Sequence, residues 1–205
     1  MSVGKLYYTP TSCGAASYIV ALAAGVKVDS EKVDIKAHKT AGGEDYYKIN
    51  FKGNVPTLVL NDGTVLNEGP SVCQYLADQN PQSGLLAPVG NSARYETIGD
   101  FNWVGTELHK TVGNLFNPTI EAPVREFVVK NSNAKLDFLE SKLLNHGGKY
   151  IRGDKLTIAD VYLYIVLTWL PYIGLSIENR PNTLKFFNGI KDSEVVQRAN
   201  SEMNQ

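Results

Sequence analysis

The segment PTLVLNDGTVLNEG, at residues 56–69, limits the fold of this chain more than any other. Two short runs rich in Val, Leu and Thr, at 57–60 and 64–66, flank the turn sequence NDG. Such residues favour strands, and Asp-Gly tolerates the positive backbone angles of a tight hairpin turn. The sequence therefore predicts an antiparallel hairpin, and with it a β-sheet, in the first part of the chain.

Strand and helix patterns alternate around this hairpin. GKLYY (4–8) and SEKVDI (30–35) are typical of strands, and between them AASYIVALAAG (15–25) predicts a helix that ends at Gly25. After the hairpin, PSVCQYLADQN (70–80) predicts a helix with Pro70 in its first turn. The expected order is βαβ, then ββ, then α, which makes an α+β domain.

The rest of the chain has a helical pattern. Apolar residues recur with helical spacing between 95 and 115, and two further helices are predicted in 123–148 and 153–171. A stretch rich in Pro, Gly and Ser precedes them. We therefore expect an α+β domain at 1–81, a linker at 82–93 and an all-α helical bundle domain at 94–205.

Thr157 and Asp160 form a candidate capping box at the start of the third helix of that bundle, in GDKLTIAD. The Asp160 carboxylate, three residues after the N-cap, can accept a hydrogen bond from the Thr157 amide. We interpret Asp160 as structural rather than catalytic.

Composition excludes several functional classes. The formal net charge of the 205 residues is −1, so nothing favours a nucleic acid or a membrane as partner. Only two cysteines, Cys13 and Cys73, are present, which indicates no disulfide framework and no CxxC motif. Without an N-terminal apolar signal, a cytoplasmic location is expected.

The chain resembles the cytosolic glutathione transferases. The resemblance covers nearly all of it and rests on these segments: KLYYTP, SCGAASYIV, KINFKGNVPTLVLNDGTVLNEGPSVCQYLAD, FNWVGTELHK and GDKLTIADVYLY. Cys13 and the pair His109–Lys110 make it most similar to the bacterial beta class. The resemblance implies a thioredoxin-like first domain, a helical second domain, an active site between them, a homodimer and a role in detoxification.

The resemblance also implies which residues bind glutathione in the first domain. Asn54, Val55 and Pro56 match the segment whose proline is cis and whose valine backbone pairs with the cysteinyl unit. Glu68 and Gly69 match the residues that hold the γ-glutamyl end, where a helix N-terminus suits a carboxylate. From the residues alone, a trans proline and a solvated Glu68 in a turn are the more ordinary interpretations.

In the second domain, Asn102, Thr106 and His109 are spaced i, i+4 and i+7, which puts them on one face of an α-helix. The resemblance implies that Asn102 and His109 face glutathione, whereas a solvated polar stripe is the alternative. Apolar residues would line the pocket for a hydrophobic electrophile, with these candidates: Tyr164, Trp169 and Tyr172. Core packing explains Trp169 equally well.

Ser12 and Cys13 follow the first strand and precede the first helix. A helix N-terminus stabilises a thiolate, whether it belongs to Cys13 or to bound glutathione. We expect Ser12 or the local backbone to stabilise the thiolate of glutathione as it attacks a small electrophile. Glutathione is then a co-substrate, and no metal or other cofactor is expected.

Two alternatives stay open at this point. The first is a thiol transferase or peroxidase that depends on Cys13, which would form a mixed disulfide with glutathione. The second is a non-enzymatic carrier or regulatory protein that keeps the fold and the glutathione site.

Overall fold

The computed structural model describes residues 1–204, which divide into two compact units. The first contains Met1–Asn91 and also the last helix, from Glu194, and the second contains Ser92–Ser193. The expected boundaries at 81 and 94 stay a prediction.

The first unit contains a mixed sheet covered by helices. Its elements are β1 (Gly4–Tyr8), α1 (Gly14–Ala23), β2 (Asp29–Asp34), β3 (Lys39–Thr40), β4 (Thr57–Leu60), β5 (Val65–Asn67) and α2 (Gly69–Asp78). The sheet order is β3-β2-β1-β4-β5. β1 and β2 are parallel, and β4 is antiparallel to β1 and β5. The predicted βαβ-ββα order is confirmed, with one short strand, β3, added.

α1 consists mainly of small and apolar residues, and its buried face packs on the sheet. Ile19, Leu6 of β1, Leu58 of β4 and Leu76 of α2 are all fully buried and belong to the core of this unit. α1 ends at Ala23, and Gly25, just beyond the C-cap residue Ala24, has a φ of 66°, the left-handed backbone that closes many helices. This packing fixes the start of α1 relative to β1 and β4.

The second unit is helical, as predicted. Its elements are α3 (Ser92–Trp103), a π-helical segment (Val104–His109), α4 (Lys110–Gly113), α5 (Ala122–Phe138), a second π-helical segment (Leu139–Leu143), α6 (Ile158–Thr168) and α7 (Pro181–Lys191). Helix α8 (Glu194–Met203) belongs to the first unit. Residues Ile158–Leu167 of α6 are all buried, so α6 is the central helix of its unit. Within residues 1–204, no helix is both long and apolar enough to cross a membrane.

The Thr157–Asp160 capping box forms at the start of α6. The Asp160 carboxylate is fully buried and accepts hydrogen bonds from the amides of Thr157 and Ile151, both at 2.8 Å. It also accepts one from the Thr157 hydroxyl at 2.6 Å. Asp160 therefore joins the preceding loop to the helix start, as the structural interpretation requires.

Replacing Asp160 with Ala removes the acceptor for the Thr157 amide at the start of α6 and for the Ile151 amide in the preceding loop. We expect Asp160→Ala to lower the free energy of unfolding by about 3 kcal/mol, since each buried unpaired donor costs ~1–3 kcal/mol. Chemical denaturation measures the change. Asp192→Ala, which removes an exposed carboxylate, is the matched control and should change little. Equal effects of the two substitutions would contradict the assigned role.

Candidate functional site

The turn between β1 and α1 places Ser12 directly before the helix. The Ser12 hydroxyl donates a hydrogen bond to the Thr9 carbonyl at 3.0 Å and accepts one from the Gly14 amide at 3.1 Å. Since that amide donates to the Ser12 oxygen, it favours donation by the hydroxyl proton. Ser12 is half-buried, so its hydroxyl can rotate towards a ligand.

Cys13 occupies the N-cap position of α1 and is half-buried. Its thiol donates to the Val55 carbonyl, with a distance of 3.4 Å from Sγ to the oxygen. A Cβ on Gly14 would lie 3.2 Å from a methyl group of Val55. Glycine at position 14 therefore lets the helix start approach the Val55 segment closely.

The Val55–Pro56 peptide bond is cis, as the resemblance implied. A buried polar network lies beneath this segment, and sequence reasoning missed it. Asn50 donates to Thr57 Oγ1 at 3.0 Å, and the Tyr46 hydroxyl lies 2.7 Å from Thr57 Oγ1 and 2.9 Å from the Asn54 carbonyl. The bonds of Asn50, Thr57 and Tyr46 hold the segment at both ends.

Asn50 also connects this segment to its surroundings. Its side-chain nitrogen lies 2.8 Å from the Asn54 carbonyl, and its side-chain oxygen accepts from the Lys52 amide at 3.1 Å and from the Asn67 side chain at 3.3 Å. Asn67 directly precedes Glu68. One buried amide thus supports both the Val55 segment and the turn that carries Glu68.

Glu68 lies between β5 and α2 with an unusual backbone. Its φ of 91° is a backbone conformation that residues other than glycine rarely adopt. Such a conformation costs of order 1–3 kcal/mol, and this kind of strain often marks ligand sites. Its carboxylate pairs with Lys52 at 2.7 Å on the surface. Exposed pairs of this kind are weak, so a ligand ammonium can replace Lys52. Gly69 begins α2, and the helix N-terminus favours an anion.

Cys73 is a core thiol. It is fully buried, its sulfur lies 3.5 Å from the Ser17 hydroxyl, and burial raises the pKa of its thiol to about 12. At neutral pH it is therefore not a thiolate, which is the reactive form.

In the second unit, the π-helical segment changes the spacing on which the predicted shared face depended. Asn102 and Thr106 are exposed, and the Thr106 hydroxyl donates back to the Asn102 carbonyl at 3.0 Å. His109 is instead half-buried, with Nδ1 2.6 Å from the Tyr162 hydroxyl. Burial lowers the pKa of His109 to about 4, and the nearby Lys110 ammonium adds to the effect. His109 is therefore neutral at pH 7.

The three aromatic candidates lie in different surroundings. Trp169 is 7% exposed and lies edge-on to His109, with ring centres 4.8 Å apart. Tyr164 is buried and packs on Phe187 of α7, 5.3 Å between ring centres. Tyr172 is 83% exposed. Trp169 is thus the candidate whose ring packs edge-on against His109.

Within residues 1–204, no group of three or more His, Cys, Asp or Glu side chains is placed to hold a metal ion. The polar groups described above are instead suited to a peptide-like ligand with charged ends. Backbone groups of Val55, the helix start at Gly69 and the carboxylate of Glu68 provide both donors and acceptors.

Comparisons with known proteins agree with this architecture. The family model "Glutathione S-transferase, N-terminal domain" matches residues 17–79, and "Glutathione S-transferase, C-terminal domain" matches 105–194. Glutathione S-transferase GstA of Escherichia coli O157:H7 is 37% identical over 195 residues, which are 95% of this chain and 96% of GstA.

Solved structures give the same result. A sphingomonad glutathione S-transferase complexed with glutathione has a TM-score of 0.92 and 31% identity, over 98% of both chains. A bacterial beta-class glutathione S-transferase of Sphingomonas chungbukensis has a TM-score of 0.91 and 29% identity, over 97% of this chain and 98% of the other. A thioredoxin-like unit followed by a helical unit is the fold they share with this chain. The chain therefore belongs to the glutathione S-transferase family, whose members are transferases.

The lowered pKa of His109 can be tested directly. The pKa of about 4 in the folded protein lies below the ordinary value of 6.5. The contribution of neutral His109 to the stability of the folded protein is therefore fully present above pH 6.5. That stability is lost as the pH falls towards 4. We expect the His109 imidazole signal in NMR spectra, assigned by its loss in His109→Gln, to titrate near pH 4. A midpoint near 6.5 would contradict the burial argument.

Proposed function

We propose that this enzyme binds glutathione in its first unit and lowers the pKa of the glutathione thiol, so that the thiolate attacks a small hydrophobic electrophile. The observation that carries the proposal is the arrangement of Ser12 and Cys13 at the start of α1, with the Cys13 sulfur 3.4 Å from the Val55 carbonyl. A thiol docked beside this helix start meets positive charge, which favours its ionised form.

The cysteinyl backbone and the γ-glutamyl end of glutathione would bind to other residues of the first unit. In this proposal, Val55, next to Asn54 and cis Pro56, pairs with the cysteinyl backbone. Glu68 takes the ammonium of the γ-glutamyl group in place of Lys52, and the amide of Gly69 binds its carboxylate. The strained Glu68 backbone supports this assignment, because such strain is maintained where a ligand needs it.

Ser12 is the proposed stabiliser of the thiolate. Its hydroxyl donates to a neutral carbonyl, Thr9 O, in the structure. Turning the same proton to a thiolate exchanges that bond for a charge-assisted one, which is roughly twice as strong. The Gly14 amide keeps donating to the Ser12 oxygen during this exchange.

A second candidate activity rests on Cys13. Its sulfur is bonded to the Val55 carbonyl, the group proposed to pair with the cysteinyl unit of glutathione. A mixed disulfide at Cys13 would form there when a disulfide or peroxide is reduced. A second glutathione would release Cys13 and leave oxidised glutathione.

The second unit would contribute His109, with Asn102 and Thr106, to glutathione binding and catalysis. Tyr164, Trp169 and Tyr172 are the proposed lining of the electrophile pocket. A homodimer, a cytoplasmic location and the lack of a resident cofactor complete the proposal and rest on family resemblance.

Single substitutions distinguish the two activities. We expect Ser12→Ala to lower kcat/KM for conjugation of glutathione to an aryl halide about tenfold or more, equivalent to about 1.4 kcal/mol of transition-state stabilisation. Cys13→Ala should have a smaller effect. Thr11→Ala, which removes the exposed hydroxyl next to Ser12, is the control.

A loss confined to Cys13→Ala, together with loss of disulfide or peroxide reduction, would contradict the Ser12 assignment and favour thiol chemistry. A wild-type protein that turns over neither kind of substrate would contradict both and leave a carrier role.

A further inference from the structure

A cavity of about 380 Å³ lies in the first unit, between α1, the loop 25–28 and α8. Small-molecule sites in proteins start at roughly 300 Å³, so a compact ligand fits. Ala21 and Leu22 of α1 and Val26 and Val28 of the loop provide its apolar lining. We name it the α1–α8 cavity.

The α1–α8 cavity lies at the opposite end of α1 from the candidate thiol site. Cys13 is the N-cap of α1, whereas Tyr18, Ala21 and Leu22 line the cavity from the middle and the C-terminal end of the helix. At about 1.5 Å per helical residue, Leu22 is roughly 13 Å further along the axis than Cys13. The cavity is therefore separate from the thiol site that we propose for glutathione.

The walls of the cavity are held in place by their own contacts. The Tyr18 ring stacks on Tyr8, with ring centres 5.0 Å apart, and the Tyr18 hydroxyl donates to Glu202 of α8 at 2.7 Å. The loop is tied to α1, because the Val26 amide donates to the Ala21 carbonyl at 2.9 Å. The cavity is therefore preformed, and a ligand need not order its walls.

The polar lining of the cavity offers hydrogen-bond donors. Both carboxylate oxygens of Glu202 already accept hydrogen bonds, Oε2 from Tyr18 and Oε1 from Arg198 Nε, each at 2.7 Å. Arg198 keeps the donors of its two terminal nitrogens. Lys27 is exposed, and its ammonium forms no ion pair within residues 1–204. Two cations thus face one engaged carboxylate, and this excess of positive charge favours an anionic ligand.

We propose that the α1–α8 cavity binds a small organic carboxylate with a flat apolar body. The planar fork of Arg198 suits a carboxylate, which it can bind with two parallel hydrogen bonds, and Lys27 adds a second positive charge. The apolar body packs against Leu22 and Val26. This site takes no part in the proposed conjugation and goes beyond the proposed function.

Binding in the cavity also favours the packed position of α8. The ligand contacts α1 and α8 at once, and α8 follows the second unit in the chain although it belongs to the first. A ligand that binds only while α8 packs on α1 stabilises that arrangement. We therefore expect amide hydrogen exchange in α8 to slow when the cavity is occupied.

Naphthalene-1-carboxylate tests the proposal, with 1-naphthalenemethanol as its uncharged counterpart. NMR spectra of 15N-labelled protein report where each compound binds. The carboxylate should shift the amide signals of 18–22, 25–28 and 198–202, both with and without saturating glutathione. The alcohol should bind about tenfold more weakly, the difference expected for one charge-assisted hydrogen bond.

Substitutions of the two cations test their roles. Lys27→Gln and Arg198→Gln should each weaken binding of the carboxylate about tenfold and leave binding of the alcohol unchanged. Both residues are exposed, and the surface pair of Arg198 with Glu202 adds little to stability, so both variants should fold. Lys36→Gln, which removes an exposed cation of the same unit outside the cavity, is the matched control and should bind as wild type does.

The absence of shifts, or shifts confined to other residues, would overturn the proposal, and so would cavity shifts that saturating glutathione abolishes. Equal binding of the carboxylate and the alcohol would contradict the role of the charge. An equal loss in Lys36→Gln would show an effect of net charge alone and would overturn the assignment of Lys27 and Arg198. Unchanged or faster exchange in α8 with the carboxylate bound would contradict the contact with that helix.

Discussion

The buried hydrogen bonds of Asn50, Tyr46 and Thr57 are the constraint on which the candidate site depends. They can be assigned one direction of donation, from Asn50 to Thr57, from Thr57 to Tyr46, and from Tyr46 to the Asn54 carbonyl. All three side chains are at most 1% exposed, so losing one partner leaves the others unpaired at a high cost. The geometry of Val55 and its distance from Cys13 follow from this buried network.

The two units differ in how their polar groups are satisfied. In the first unit, the groups that would bind glutathione already have partners: Ser12 has Thr9, Cys13 has Val55 and Glu68 has Lys52. A ligand there would replace these hydrogen bonds and ion pairs with its own. In the structure, the same bonds hold the side chains of the site in position. In the second unit, Trp169 has no such partner.

Local patterns were sufficient for the elements and insufficient for the contacts. The hairpin, the order of the first unit and the Thr157–Asp160 box depend on neighbouring residues, and all are confirmed. The buried role of Asn50 depends on residues up to 17 positions away and leaves no periodic signal. The π-helical segment Val104–His109 has a different number of residues per turn from an α-helix. The sequence pattern does not distinguish the two kinds of helix. The sequence therefore indicated the candidate site residues but not their surroundings.

The proposed activity requires the first unit to lower the pKa of a bound glutathione thiol. Ultraviolet difference absorbance of the thiolate, recorded against pH with and without glutathione, measures that pKa directly. We expect a value well below the ~8.5 of an ordinary cysteine thiol, so that most bound glutathione is ionised at pH 7. A bound thiol that titrates at the value of free glutathione would contradict it.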